Sequence, residues 1–404
     1  MGVALEQAMA RAPRIIVIGG GIGGLAVARA LILRGIDVTV YEQASRISEF
    51  GAGVVMTPNA MKALRSLGVE EAVRAVAFTP QSQVARSWRS GRVIDRAPLD
   101  AYRTHFGAEF CTVHRGDLQE LLRQVVGDEH IRLNARCVAI SSHATGAHAR
   151  FENGLDIEAD ALVGADGIHS VVRSALFGAE NPRFTGNVCW RGLVDARRLP
   201  PNLVAPEFTL WWGPDGHIVH YYVRRGELLN WVAITEIDEW TEESWSREVD
   251  LAEVKRTYAR WSARLLTLFD ASEVCYKWAL YDREPLAKWG KDRVTLLGDA
   301  AHAMLPYLAQ GAAQALEDAC VLAADIARTP EDLTGALRRY EDRRIGRTRR
   351  ILLGARARGK TNHLRSAWAR LWRDAQLALR RRFSPNATLH HAEWIYGYDV
   401  NRPD

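Results

Sequence analysis

Residues 14–42 read RIIVIGGGIGGLAVARALILRGIDVTVYE. An apolar run ends in Gly19-Gly20-Gly21-Ile22-Gly23-Gly24, an Ala/Leu-rich stretch follows to Arg34, and a second apolar run, Val38–Tyr41, ends at Glu42. This order predicts strand, glycine turn, helix, strand. In that context Gly19-x-Gly21-x-x-Gly24, with Gly23 in the same turn, has the spacing of a dinucleotide phosphate cradle. The first glycine permits the tight turn, the second lets the backbone approach a pyrophosphate, and the third lets helix and strand pack closely. The helix amino terminus then faces the anion. Glu42 is placed to accept hydrogen bonds from a ribose diol. The motif alone fits FAD and NAD equally.

The rest of the chain must accommodate this unit. At 404 residues it is long enough for two or three domains, or for one large fold with an embedded module. Hydrophobic residues make up 48% and charged residues 25%, a balance that excludes intrinsic disorder and a collagen-like fibre. No run approaches the roughly 18 apolar residues that cross a bilayer, and MGVALEQAMARAP lacks a signal-peptide core, so a cytoplasmic protein without a membrane partner is expected. The five cysteines are odd in number and far apart, which fits neither a disulfide framework nor a zinc site. Among the twelve histidines there is no HExxH, and no GxSxG elbow is present, so no metal and no serine nucleophile is expected.

Between Arg338 and Arg382 sixteen Lys/Arg face three Asp/Glu, interspersed with Ile345, Ile351, Leu352, Leu353, Trp368, Leu371 and Trp372. That pattern reads as helices packed on the body or on a second subunit rather than as a nucleic-acid surface. A monomer or a homodimer is expected. Alternating apolar runs from about 205 to 235, with turns at Pro214-Asp215-Gly216 and Arg225-Gly226, read as antiparallel strands that interrupt the α/β portion. An apolar strand recurs near 294–300, and an alanine-rich helix begins at Gly311.

Two further segments narrow the ligand. Val163–Arg173 reads VGADGIHSVVR and Leu297–Asp318 reads LGDAAHAMLPYLAQGAAQALED. With the glycine turn and Val113-His114-Arg115-Gly116-Asp117-Leu118, the chain resembles the single-component FAD-dependent aromatic hydroxylases over about residues 14–330. Phe50-Gly51-Ala52-Gly53, Pro58-Asn59-Ala60, Trp212-Gly213-Pro214 and Trp394–Asp399 make it similar to salicylate hydroxylase, 3-hydroxybenzoate 6-hydroxylase and 6-hydroxynicotinate 3-monooxygenase. The resemblance implies an α/β fold: a Rossmann-like FAD-binding domain (10–80, 105–180 and 280–330), an inserted antiparallel β-sheet substrate domain (81–104 and 181–279), and a helical C-terminal segment, 331–404.

The same resemblance implies roles. Gly19, Gly21 and Gly24 cradle the FAD pyrophosphate, Glu42 holds the adenosine ribose, and Arg46, Gly53, Val54 and Arg115 lie along the cofactor. Asp299 meets the ribityl or phosphate portion, and the turn Gly311-Ala312-Ala313 brings N–H groups to the flavin ring. Asp166 is also the position where reduced nicotinamide touches the protein. There is no second glycine motif for a nicotinamide cofactor, so NADH or NADPH is expected as a transient co-substrate, with O₂ as oxidant. His302 is followed by Ala303 where the family often has proline, which leaves the course of the loop to Pro306 open.

Chemistry in this family proceeds through a flavin C4a-hydroperoxide, and the protein positions the ring and helps deprotonate a phenol. Direct transfer from a phenol to a histidine is uphill by roughly 5 kcal/mol in water, so orientation and a relay are expected. On a strand, His217, Val219 and Tyr221 share one face, while Ile218, His220 and Tyr222 share the other. The His217/Tyr221 spacing resembles the catalytic pair of the hydroxybenzoate and hydroxynicotinate enzymes; His220 is the alternative. Gln310 is a candidate substrate contact, and His302 is either beside the ring or a loop residue. The expected substrate is a small aromatic or heteroaromatic hydroxy acid. Salicylate 1-monooxygenase activity, which would release CO₂, is the leading expectation, with 3-hydroxybenzoate and 6-hydroxynicotinate hydroxylation beside it and a flavoprotein oxidase or dehydrogenase as the rival class.

Overall fold

The computed structural model describes residues 12–47, 52–238, 247–383 and 387–402. Phe50 and Gly51 of the motif strings lie outside these. The glycine turn sits where its sequence places it, between the strand Arg14–Ile18 and the helix Ile22–Ile32. That strand is central to a six-stranded sheet, flanked by Ala161–Gly164 and Asp37–Tyr41, with Val294–Leu296 and Ile131–Arg132 further out, all parallel. Only Gly290–Lys291 runs antiparallel, at one edge. A parallel sheet has to be covered on both faces. The helices Ile22–Ile32, Arg115–Val126 and Gly311–Arg328 and a three-stranded sheet, Cys137–Ala159, join it in one apolar core. All five cysteines are free and buried.

The second sheet has eight strands. It takes Ser82–Ser87 and Val93–Pro98 from early in the chain and the remaining six, Arg247–Glu248 among them, from 183–282. The sequence suggested a wholly antiparallel sheet, but Phe208–Gly213 pairs in parallel with Ser82–Ser87, because the early hairpin reaches the sheet through a long crossover rather than a tight turn. One face carries Trp190, Trp211, Ile218 and Trp231 against the helices Leu251–Thr257 and Ala263–Asp270. The other carries Cys189, Val219, Val232 and Ile234 against Leu305, Tyr307, Leu308 and Ala355. It therefore looks toward the loop that follows the Gly298-Asp299 turn.

The C-terminal segment is helical, comprising Leu333–Asn362, Ala367–Phe383 and Ala387–Tyr396. Ile351 and Leu352 are buried as expected, but Trp368 is 82% and Trp372 68% exposed. In this chain the helix Ala367–Phe383 therefore leaves its apolar stripe uncovered.

Beneath the start of helix Gly311–Arg328 lies a buried ionic cluster. Arg344 donates to Glu317 at 2.6 Å, to Asp318 at 2.7 Å and to the Gln314 side-chain oxygen at 2.7 Å, and both carboxylates are fully buried. Arg347 adds two bonds to Glu317 and reaches the carbonyls of Trp394 and Ile395, both at 2.9 Å. Burial pushes both carboxyls up, but Arg344, with Arg347 for Glu317 and His302 for Asp318, more than offsets this and holds them below the usual carboxylate range. Arg344→Met would leave two buried carboxylates poorly compensated. It should cost about 3–5 kcal/mol in urea unfolding; a loss below about 1 kcal/mol would show that the cluster is not holding the helix.

Candidate active site

The phosphate side is built by close backbone contacts. Gly19 has φ +105°, and a Cβ there would overlap the Ala165 carbonyl of the Asp166-Gly167 turn. A Cβ on Gly24 would overlap the Gly19 carbonyl, and one on Gly23 would press on Leu297. At Gly21 and Gly311 a Cβ would meet nothing within 4 Å. Open space at these two positions, each at a helix start, is the observation that fits FAD: one is suited to the pyrophosphate, the other to the ring. The first intrahelical bond of Gly311–Arg328 is from Gln314 N–H to the Gln310 carbonyl, so Gly311, Ala312 and Ala313 supply the terminal donors.

Of the other predicted cofactor residues, Glu42 is tied to the glycine turn and Arg115 lies near Asp299. Glu42 accepts from Gly20 N–H at 2.7 Å and Ala44 N–H at 2.8 Å, which fixes its carboxylate at the strand end. Arg46 and Arg115 are exposed. Asp299 opens to solvent, but the protein crowded around its groove raises its pKa, with His302 and Arg115 opposing the rise. Asp166 caps the helix Val171–Phe177 through Val171 and Val172 N–H, and its other carboxyl oxygen is buried without a partner. Val54 lies on the short strand Gly53–Met56. Gly53 donates to Asn230 at 2.7 Å, and a Cβ there would run into Tyr221 and Asn230. The missing side chain lets this strand dock directly on the eight-stranded sheet.

On that sheet, strand Gly216–Val223 turns His217, Val219 and Tyr221 to the inner face. His220 faces the outer helices and accepts from Trp211 Nε1 at 3.0 Å, so the alternative base lies on the face opposite His217. Tyr221 stacks on Phe208 with centroids 5.1 Å apart, and its hydroxyl has no partner among the described residues. His217 Nδ1 lies 2.7 Å from His363 Nε2, and His363 Nδ1 lies 3.3 Å from Glu236. The carboxylate accepts, so His363 carries its proton on Nδ1 and its Nε2 is an acceptor. His217 then donates from Nδ1, which leaves its Nε2 as an unprotonated base. Burial first, then His363 and Arg358, lower the His217 pKa well below its ordinary value.

Two expectations are corrected. Gln310 is fully buried, with its amide bonded to Thr57 and its oxygen accepting from Asn59 and Gln314, so the side chain is turned inward and the terminal N–H groups after it face the groove. His302 is also buried, 2.6 Å from Asp318, so its ring is held by the ionic cluster, and it sits at the end of the short helix Asp299–His302 rather than in a loop. Sequence reasoning missed His363 and Glu236, since nothing near them signals chemistry. It also passed over Arg191, whose charge in the apolar run Val188–Val194 was a visible signal.

The described residues include no group of His, Cys, Asp and Glu that could hold a metal, and no helix among them is long and apolar enough to cross a membrane. A family model described as an FAD binding domain matches residues 13–353. The chain is 39% identical over 389 residues to a 3-amino-4-hydroxybenzoate 2-monooxygenase of Streptomyces platensis, covering 96% of each. It is 36% identical over 397 residues to a 3-hydroxybenzoate 6-hydroxylase of Klebsiella oxytoca, covering 96% of this chain and 98% of the relative. Among solved structures, Klebsiella pneumoniae HpxO complexed with FAD and uric acid superposes with a TM-score of 0.85 at 28% identity, covering 95% of this chain and 96% of that one.

Two tests follow from the geometry. Gly21→Val should leave the apoprotein folded with an unchanged melting temperature while weakening FAD binding at least 100-fold, whereas Gly24→Ala should lower the melting temperature itself. Equal FAD affinity in Gly21→Val would remove the pyrophosphate assignment. The second test is of pH. Burial lowers the pKa of His217 and His363, and that of His220 to about 3. The unfolded chain takes up these protons near 6.5, so the stability from keeping them neutral is complete above that value. It falls as pH drops below it, by up to about 1.4 kcal/mol per unit for each residue. Urea midpoints should therefore fall between pH 7.5 and 5, and His220→Gln should flatten that slope.

Proposed function

The chain belongs to the FAD binding domain family and is an FAD-dependent aromatic monooxygenase, and on that premise we propose that it hydroxylates a single six-membered ring carrying both a hydroxyl and a carboxylate. NADH or NADPH is the reductant and O₂ the oxidant. Bound FAD supplies the activation of oxygen. The protein's part is to hold the ring over Val219 and Val232, exclude water, and take the hydroxyl proton at His217 Nε2.

The observation that carries this reading is the His217–His363–Glu236 chain, which ends in a buried, unprotonated nitrogen on the sheet face opposite the flavin-side loop. A hydroxyl proton passed to His217 has an onward route, because His363 hands on to Glu236, whose part-exposed carboxylate reaches solvent. Tyr221 lies four residues along the strand, about 13 Å away, so the two side chains serve opposite ends of the substrate. Gln310 acts by positioning, since its inward bonds fix where the helix donors begin.

The relatives favour 3-amino-4-hydroxybenzoate and 3-hydroxybenzoate as first probes, with 6-hydroxynicotinate and salicylate completing the panel. Salicylate turnover with CO₂ release would establish the 1-monooxygenase reading. For each acid, NADH or NADPH oxidation is compared with hydroxylated product. One acid should stimulate oxidation strongly with near-stoichiometric product; peroxide alone with every member would defeat the proposal. His217→Ala should reduce product formation by roughly 10²–10⁴-fold while FAD stays bound, and unchanged product would remove its role as base.

A further inference from the structure

The inner face of the eight-stranded sheet carries donors that nothing in the chain uses. Arg191, on strand Arg183–Asp195, is in register with Val232, and Val232 is in register with Val219, so Arg191 faces the same space as His217 and Tyr221. Its Nε is buried with no hydrogen-bond partner, and no carboxylate pairs with it among the described residues. The rest of the guanidinium has weak partners: it lies 5.0 Å from the Trp278 ring centroid and hydrogen-bonds the Cys189 thiol. It is also near enough to Tyr221 to oppose the rise that burial causes in that phenol's pKa. Diagonal to it, Asn230 is fully buried; its oxygen is taken by Gly53 N–H, and its amide nitrogen has no partner.

Two unsatisfied donors on one face, Arg191 Nε and Asn230 Nδ2, describe a place for an anion. Leaving such groups without a ligand is costly, and a planar carboxylate matches the guanidinium fork. We propose that Arg191 anchors the carboxylate of the aromatic substrate. The inference rests on the proposed hydroxy-acid function and says how that substrate is held. With the hydroxyl at His217, the carboxylate must lie across the ring. Arg191 stands two strands away, about 10 Å between strand axes, a gap that the ring and the arginine arm fill together.

Arg358 is the competing cation. It also lacks an ion pair or hydrogen bond among the described residues, and it lies 5.3 Å from the Trp212 ring centroid. However, Trp212 is directly in register with His217, which puts Arg358 at the hydroxyl end of the ring. A cation there favours the phenolate rather than the carboxylate.

The test is a titration of the FAD-loaded protein, read from flavin absorbance, with 3-amino-4-hydroxybenzoate and 3-hydroxybenzoate, each beside its uncharged amide. Wild type should bind acid over amide by roughly 100-fold. Arg191→Met should abolish that preference while leaving amide affinity within threefold, Arg191→Lys should restore part of it, and Arg358→Met should keep it. If Arg191→Met fails to retain FAD, Arg191→Gln takes its place. A preserved preference without Arg191, its loss in Arg358→Met instead, or no preference in wild type would each overturn the proposal. Product analysis is independent of this: acid binding that depends on Arg191 without hydroxylation would sink the proposed function and leave the anchor standing.

Discussion

Two adjacent carboxylates, Glu317 and Asp318, are buried in the helix that begins at Gly311, and the site depends on their being held there by Arg344. Neither carboxylate touches the cofactor groove; their effect is on position. Glu317 accepts from Asn59, Asn59 donates to Gln310, and Gln310 fixes the residue before the first helix donor. Asp318 accepts from Gly298 N–H and His302, which ties the Asp299 turn to the same helix. One arginine from the next helix, Leu333–Asn362, thereby sets the two backbone features that would meet the flavin ring and its phosphate chain. The C-terminal Trp394–Tyr398 run closes the cluster, with the Tyr398 ring 4.1 Å from the Arg347 guanidinium. A buried pair is weak evidence for stability in itself, but here it fixes register between segments hundreds of residues apart.

The flavin side was legible in the sequence because its constraints are local. A glycine at 19 is demanded by one turn and one close approach, and the spacing to Gly21 and Gly24 follows from the turn and the first turn of helix. Glu42 is legible for the same reason, since it ends the next strand. The parallel pairing of the first two strands could also be read, because a βαβ unit leaves few alternatives. What the sequence did not show is the parallel join between Phe208–Gly213 and Ser82–Ser87, which is made across more than a hundred residues and has no turn to announce it.

The substrate side was half legible. Strand parity separated His217 from His220, but which face lies inward depends on the helices that cover the outer face and on the loop through Leu305 and Tyr307. Helix propensity says nothing of such packing. His302 and Gln310 were singled out because they sit in a motif, yet both turned inward. A polar residue in a motif is as often the brace of a backbone feature as a ligand contact, and burial distinguishes the two only once the fold is known.

The state of the base shows how far such dependence extends. His217 is an acceptor at Nε2 only because His363 accepts from its Nδ1, and His363 can accept only because Glu236 takes the other proton. Glu236 in turn pairs with Arg365 at 2.9 Å, a contact that lies at the surface. Surface ion pairs contribute little to stability, about 0–1 kcal/mol. Their effect on a proton's position is different in kind, because an ionised Glu236 only accepts and so admits only the order in which His363 carries its proton on Nδ1. With the opposite order, His217 would present an N–H to the cavity and could donate to a hydroxyl oxygen but not receive its proton. The chemistry open to the buried end is therefore fixed by which end of the relay holds the negative charge, and that charge sits on Glu236 beside Arg365.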